Sequence, residues 1–94
     1  MANDTIVAVL YEEIVYGLPE LTLIEMMVLC KIIYLDNAKH CFAGNEYFAK
    51  LFHVSEGTIT NTISKLIVLG HVVKEGFDGR LRRLSSPLTQ SIKR

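Results

Sequence analysis

The stretch that decides the fold is GNEYFAKLFHVSEGTITNTISKLIVLG, which occupies residues 44–70. Residues 45–52 have the apolar spacing of a short helix, and residues 53–54 leave room only for a tight turn. A second helix is predicted to begin after Ser55, because serine caps helix N-termini, and to stop at Gly70. The stretch therefore predicts two successive helices joined by a tight turn.

The second helix divides into two sides at about 100° per residue. Its apolar side, expected to pack on the preceding helices, consists of Ile59, Ile63, Leu66 and Ile67. Its start and its other side are small and polar, with one cation, and we expect them to bind DNA. They comprise Ser55, Gly57, Thr58, Thr60, Asn61, Ser64 and Lys65.

The chemistry of this polar side suits a nucleic acid. Asparagine can pair bidentately with adenine, and hydroxyl side chains can reach phosphates or base edges. The Ser55 hydroxyl and the backbone N–H groups at the helix start suit a phosphate, which the helix dipole also favours. An ordinary solvent-exposed helix has the same polarity, so the helix alone does not decide between the two readings.

A basic hairpin follows the second helix. Residues 71–75 and 80–84 are predicted strands, and Asp78-Gly79 between them is a turn signal. Three cations in the second strand are candidate DNA contacts, because a hairpin can lay them along a phosphate backbone or into a minor groove. A solvated strand edge is the alternative for these residues, which are Arg80, Arg82 and Arg83.

A third helix is predicted upstream. Thr22 and Glu25 have the spacing of a capping box, and the helix should run from there to about Leu35. It is apolar nearly all round, so it has to be covered on two sides. The short apolar run 40–43 after it has the composition of a strand that could pair with the hairpin.

The N-terminal segment offers one cover for this helix. Residues 4–16 favour a helix between an aspartate cap and a glycine stop, although their Ile, Val and Tyr content fits a strand equally well. We expect its apolar side to form a homodimer contact together with part of the following helix. The residues of this expected contact are Ile6, Leu10, Ile14, Ile24, Val28 and Ile32.

Composition limits the class of protein. The chain has 94 residues, enough for one domain, and half of them are hydrophobic. Net charge is zero, yet residues 1–25 carry five acids without a Lys or Arg, while residues 79–94 carry five cations without an acid. This gradient suggests two surfaces with different partners, or else it is ordinary solvated charge.

Several functions are not indicated. No apolar run reaches the roughly 18 residues of a membrane span, and no signal peptide is recognisable. Two cysteines outside any metal-ligand spacing favour buried thiols in a reducing cytoplasm. We expect no metal, no cofactor and no enzymatic activity, because the histidines are dispersed and no nucleophile or phosphate loop accompanies them. The two cysteines are Cys30 and Cys41, and the three histidines are His40, His53 and His71.

A set of motifs across two thirds of the chain carries a resemblance to known proteins. They are Leu21-Thr22 with Glu25, Cys41-Phe42-Ala43, Asn45, Tyr47, Ala49, Val54-Ser55, Thr58-Ile59, Ile63, Leu66 and Leu69-Gly70. In these motifs the chain resembles the winged helix-turn-helix domains at the N-termini of phage and plasmid replication proteins. It is similar also to the N-terminal domains of DnaD-type primosome proteins.

The sequence departs from that family pattern at the expected DNA side. His53 stands where many such turns carry glycine, which reaches positive φ most easily. Gly57 and Asn61 stand where many DNA-reading relatives carry Arg or Lys, and Glu56 would repel phosphate. The charge argument for DNA binding therefore rests on the hairpin.

The predicted fold is mainly α with a small antiparallel β-hairpin, a winged helix-turn-helix. We expect an N-terminal segment over 1–21 that could serve as a dimerisation arm, the winged domain over 22–85 and a flexible tail or linker over 86–94. The resemblance implies a protein that binds double-stranded DNA in replication initiation or its regulation, or in transcription regulation, in the cytoplasm of a bacterial host. The helix that is apolar nearly all round leads us to expect a homodimer. The alternative is a dimeric protein-interaction module of the replication or transcription machinery, with weak or absent DNA binding.

Overall fold

The computed structural model describes residues 18, 20–38, 41–78 and 81–89. Within these described residues there are three helices, namely α1 (Leu23–Ala38), α2 (Asn45–Phe52) and α3 (Glu56–Val68). An antiparallel hairpin follows, formed by β1 (Val73–Asp78) and β2 (Leu81–Ser85). Cys41 forms a bridge with Leu84 on the other edge of β2. This architecture confirms the predicted winged helix-turn-helix fold and the pairing of the short upstream run with the hairpin.

The capping box forms at the start of α1. The Thr22 backbone N–H donates to Glu25 Oε1 over 2.8 Å, and the Glu25 N–H donates to Thr22 Oγ1 over 3.4 Å. The helix continues beyond its predicted end and includes Asp36. The Asp36 carboxylate is engaged elsewhere, since it accepts from the Ser86 backbone N–H and the Thr89 hydroxyl.

These contacts correct the expectation that the chain becomes a flexible tail at residue 86. Thr89 Oγ1 lies 2.8 Å from Asp36 Oδ2, and Ser86 Oγ donates to the His71 carbonyl over 2.6 Å. Both Ser86 and Thr89 are buried. The packed body therefore extends at least to residue 89, because polar groups paired in this way are held in place.

One hydrophobic core joins the three helices and the hairpin. Its fully buried members come from the three helices, from β2 and from Val72 just before β1, and they include Leu29, Ile33, Phe48, Ile59, Leu66, Val72 and Leu84. Val28 and Ile32 also belong to this core and expose none of their surface. The expectation that these two side chains contact a second subunit is therefore wrong. Ile24 is partly buried at the edge of the core, and Ile6, Leu10 and Ile14 lie outside the described residues.

Left-handed residues end both helices of the helix-turn-helix. His53 has φ 58° and ψ 45°, and after it the Val54 N–H donates to the Ala49 carbonyl over 3.1 Å. Gly70, at φ 85°, ends α3 in the same way, with the His71 N–H bonded to the Leu66 carbonyl. This pattern is a Schellman motif, which glycine normally supplies. The turn between α2 and α3 is thus made by a residue that pays a steric penalty.

Replacing His53 with glycine should stabilise the protein. A residue with a side chain costs roughly 1–2 kcal/mol in the left-handed region, and glycine removes this cost. Glycine also makes the unfolded chain more flexible, which offsets part of the gain in stability. We expect His53→Gly to raise the free energy of unfolding by about 1 kcal/mol in urea denaturation. Gly70→Ala is the matched control and should lower it, so equal or inverted effects would contradict this account of the turn.

Candidate nucleic-acid interface

The exposed side of α3 is a neutral stripe. Gly57, Asn61, Ser64 and Val68 are exposed along it, and Val68 exposes 83% of its surface. Ile59, Thr62, Ile63 and Leu66 are buried on the opposite side. The predicted division of the helix is therefore confirmed for Ile59, Ile63 and Leu66. It is wrong for Ile67, which is 37% exposed.

The start of α3 is capped by its own side chains. Ser55 Oγ accepts from the Thr58 N–H over 3.1 Å and lies 3.0 Å from Thr58 Oγ1. These hydroxyls stabilise the helix end and so do not present all of their hydrogen-bonding capacity to a ligand. Gly57 leaves the surface beside them flat, because a Cβ added there would meet only Ser55 Oγ, at 3.7 Å. Backbone can therefore approach closely at this end.

Thr60, beside the stripe, and Asn61, within it, differ in their contacts. The Thr60 hydroxyl donates to the Glu56 carbonyl and accepts from Asn45 Nδ2, both over 2.9 Å. Asn61 is exposed, and its amide has no hydrogen-bond partner within the described part of the chain. Asn61 is thus the side chain best placed to pair with a base edge.

The lysine of α3 does not face the stripe. Lys65 Nζ lies 2.9 Å from Glu25 Oε1 on α1 and 3.5 Å from the Glu20 carbonyl. The Glu25 side chain is only 12% exposed, whereas that of Lys65 is 41% exposed. This ion pair ties α3 to α1 and neutralises the cation that the sequence offered as a DNA contact. The expected role of Lys65 therefore needs correction, since its first partner is a carboxylate of the same chain.

The same pair sets the ionisation of Glu25. Burial alone raises the pKa of this carboxyl, but the Thr22 backbone hydrogen bond and the Lys65 ammonium outweigh burial. The net result is a pKa below the ordinary value of 4.5. Glu25 is therefore a charged group at neutral pH and holds both the start of α1 and Lys65.

Arg82 faces the body of the protein. Its Nη2 donates to Asn45 Oδ1 over 2.6 Å and to the Ala43 carbonyl over 3.3 Å. Its Nε is buried and has no hydrogen-bond partner. Burial also lowers the pKa of the Arg82 guanidinium. This arginine joins the hairpin to the start of α2, which is a structural role that the sequence analysis did not predict.

The three arginines do not form one cationic surface. Side chains alternate between the two faces of a strand, so Arg83 lies on the face opposite Arg82. Arg83 Nη2 is 3.7 Å from Glu75 Oε1, and Ser85 Oγ donates to the same carboxylate over 2.7 Å. Arg80 lies outside the described residues. The expectation of a joint arginine surface is therefore wrong for the pair that the structure describes.

A cleft between α3 and the hairpin brings in a different cation. It has a volume of about 210 Å³, and its described lining comprises Asn45, Thr60, Ile63, Ser64, Ile67, Lys74, Arg82 and Leu84. Lys74 is exposed at its rim, next to the polar stripe of α3. Lys74 was not predicted from the sequence, because a regular two-residue period from the hairpin turn would pair Glu75 with Leu84. The register shift between Lys74 and Phe77 pairs Lys74 with Leu84 instead and so puts it on the cleft face. The cleft with the stripe is a surface that an anionic backbone can follow.

The described region offers no candidate metal site. No group of three His, Cys, Asp or Glu side chains there could hold a metal ion. Both cysteines are free and buried, and burial raises the pKa of Cys30 to about 11. Thiols in that state are poor nucleophiles at neutral pH. None of the three described helices has the length and hydrophobicity of a membrane span.

Comparison with known proteins gives one match. The sequence model of a family described as a helix-turn-helix domain matches residues 20–72, more than half of the chain. The match covers the three helices and stops before the hairpin strands. No curated protein and no solved structure matches the chain.

The ion pair between Glu25 and Lys65 makes the free energy of unfolding depend on pH. Because the folded-state pKa of Glu25 is depressed, its stabilisation is present above the ordinary value of 4.5 and is lost as the pH falls through the lower folded value. Glu25→Gln retains a capping residue but not the charge, whereas Glu25→Ala removes both. In chemical denaturation from about pH 6 to pH 3, the free energy of unfolding should fall less steeply with pH for Glu25→Gln than for the wild type. Parallel pH profiles would contradict the assignment.

Proposed function

The chain belongs to the helix-turn-helix domain family, and from this premise we propose that it is a DNA-binding protein. In the proposed complex, α3 enters the major groove with Gly57 and the Asn61 amide toward the bases. Lys74 contacts the phosphate backbone beside it. The observation that carries this proposal is the continuity of the exposed neutral stripe of α3 with the cleft rimmed by Lys74.

The charges of the site set the strength of this binding. Lys65 and Arg83 have carboxylate partners, and Arg82 is engaged with Asn45. Three of the cations in the described part of the chain are thus held by groups of the protein itself, so we expect modest affinity with a shallow dependence on salt. The residues proposed to contact DNA are Ser55, Gly57, Thr58, Thr60, Asn61, Ser64 and Lys74. Arg80, Lys65 and Arg83 are further candidates.

We propose replication initiation as the process in which this binding acts. The support is the resemblance of residues 22–84 to domains of phage and plasmid replication proteins. On a replicon that carries its own gene, Asn61→Ala should reduce copy number while transcript level per copy stays constant. A change in transcript level without a change in copy number would favour transcription regulation instead.

A protein-interaction module is the second candidate. A contiguous apolar patch at the end of α3 favours it, formed by Ile67, Val68, Leu69 and Val73, each at least 37% exposed. Such a patch suits a subunit or partner contact. The proposed homodimer would use this patch, because Val28 and Ile32 are not accessible. Sedimentation distinguishes the candidates, since a monomer that binds DNA excludes the dimer and an oligomer without DNA binding excludes the first proposal.

The two faces of the hairpin provide a matched test of DNA contact. We expect Lys74→Gln to weaken binding to random duplex DNA and to reduce the slope of log affinity against log salt by about 1, because one phosphate contact is lost. Arg83→Gln, on the opposite face, should have a smaller effect. Fluorescence anisotropy across a salt series gives both quantities.

A control for total charge comes from Lys31→Gln, which removes a cation of α1 that does not line the cleft. It should leave the salt slope unchanged. If Lys74→Gln behaves like Lys31→Gln, the cleft does not contact DNA and the proposed orientation is wrong.

A further inference from the structure

A broad apolar groove lies between α1 and α2. Its volume is about 670 Å³, and it shares no described lining residue with the cleft beside α3. Leu23 and Leu51 on its walls are 58% and 42% exposed, and Met27 between them is 37% exposed. Its other main walls are Tyr34, Phe52 and Lys31. An uncovered apolar surface of this kind is uncommon in a small monomer.

We propose that residues 4–16 of the same chain occupy this groove as an amphipathic helix antiparallel to α1. The proposal goes beyond DNA binding and does not depend on it. It gives the outer side of α1 the cover that its composition requires, because the inner side already lies in the core. It also gives Ile6, Leu10 and Ile14 a place within one chain instead of between two subunits.

The spacing of the two apolar sets supports this occupant. Leu23, Met27 and Lys31 recur every four residues along the groove, as do Ile6, Leu10 and Ile14 in the segment. An antiparallel alignment that places Ile14 beside Leu23 also places Leu10 beside Met27. A 13-residue helix is about 20 Å long, and the groove from Leu23 to Tyr34 spans about 17 Å of α1. Segment and groove therefore match in both period and length.

Charge is complementary as well. Lys31 is the one charged side chain in the described lining of the groove, and its Nζ lies 5.1 Å from the centre of the Tyr34 ring. Residues 1–17 contain three acids and no Lys or Arg. The same alignment brings Asp4 to the end of the groove that holds Lys31. An acidic amphipathic segment thus suits this groove better than a basic one.

The covalent connection favours the same chain over a second copy. Leu18 is already packed against the core, and its carbonyl accepts from the Leu21 N–H over 3.2 Å. The connection over residues 17–22 has a length that commonly joins antiparallel helices. A segment tethered this closely has an effective concentration of about 1 mM, which at micromolar protein favours the intramolecular contact about a thousandfold.

Disulfide trapping tests the proposal. Leu10→Cys is combined with Met27→Cys in the full chain, with Cys30→Ala to remove the native thiol near the groove. Cys41 remains, because it is completely buried. Mild oxidation at low micromolar protein should give a disulfide-linked monomer, identified by mass and by non-reducing electrophoresis. The matched control pairs Glu12→Cys with Met27→Cys and should not close, because residue 12 lies on the other side of the predicted helix.

Each alternative occupant gives a different product. A covalent dimer as the main product would show that the segment of a second copy fills the groove, and it would overturn the proposal. Equal closure of the test and control pairs would show that the segment is not docked. If neither pair forms a disulfide, residues 4–16 do not occupy the groove and the proposal is again wrong.

A variant without engineered thiols provides a second measurement. Leu10→Asp should lower the melting temperature and shift the Met27 methyl resonance, whereas Glu12→Gln should change neither. If the two variants behave alike, Leu10 is not in the groove. DNA affinity measured in parallel separates this result from the fate of the proposed DNA contact, because the groove and the cleft share no described lining residue.

Discussion

The arrangement of the candidate interface depends on the hydrogen bond from Arg82 Nη2 to Asn45 Oδ1, which is 2.6 Å long. Asn45 in turn donates to the Thr60 hydroxyl on α3, so one guanidinium connects the hairpin, the start of α2 and the middle of α3. A hydrogen bond from a charged donor contributes about 1.5–3 kcal/mol, roughly twice a neutral one. The bridge between Cys41 and Leu84 holds the same strand from its other edge. Together these contacts fix the cleft beside α3.

This use of charge has a consequence for recognition. Cations that the sequence offers to DNA are engaged within the protein, Lys65 by Glu25 and Arg83 by Glu75. The exposed side of α3 is left neutral, with Glu56 at its start. In the proposed complex, affinity therefore comes from close approach at Gly57, from amide and hydroxyl groups and from few phosphate contacts. A surface of this kind favours shape and hydrogen bonding over long-range attraction.

What the sequence predicted well was set by local interactions. The capping box of α1, the Ser55 cap of α3 and the stop at Gly70 each depend on residues within a few positions, so their spacing is visible in the chain. The bounds of α2 and α3 were predicted for the same reason. The end of α1 was missed because Asp36, a helix breaker by type, is held by Thr89, 53 residues away.

The positions and partners of the charged side chains were harder to predict. Lys65 lies on the outward half of α3 by angle, but Glu25 is 40 positions away in sequence and meets it only after α1 and α3 pack. Arg82 and Arg83 are different, because the two-residue period of a strand already separates them onto opposite faces. That signal was present, and counting arginines without regard to strand face obscured it. Lys74 could not be found in this way, because a register shift between Lys74 and Phe77 moves it to the face that a regular hairpin would give to Glu75.

The most direct test of the account is a map of the DNA-contacting surface by nuclear magnetic resonance. Isotope-labelled protein is titrated with random-sequence duplex DNA at low salt, and the shift of each backbone amide is followed. The account predicts that the largest shifts fall on residues 56–64 of α3 and on Lys74. Shifts confined to the groove between α1 and α2, or to the apolar patch around Val68, would contradict it.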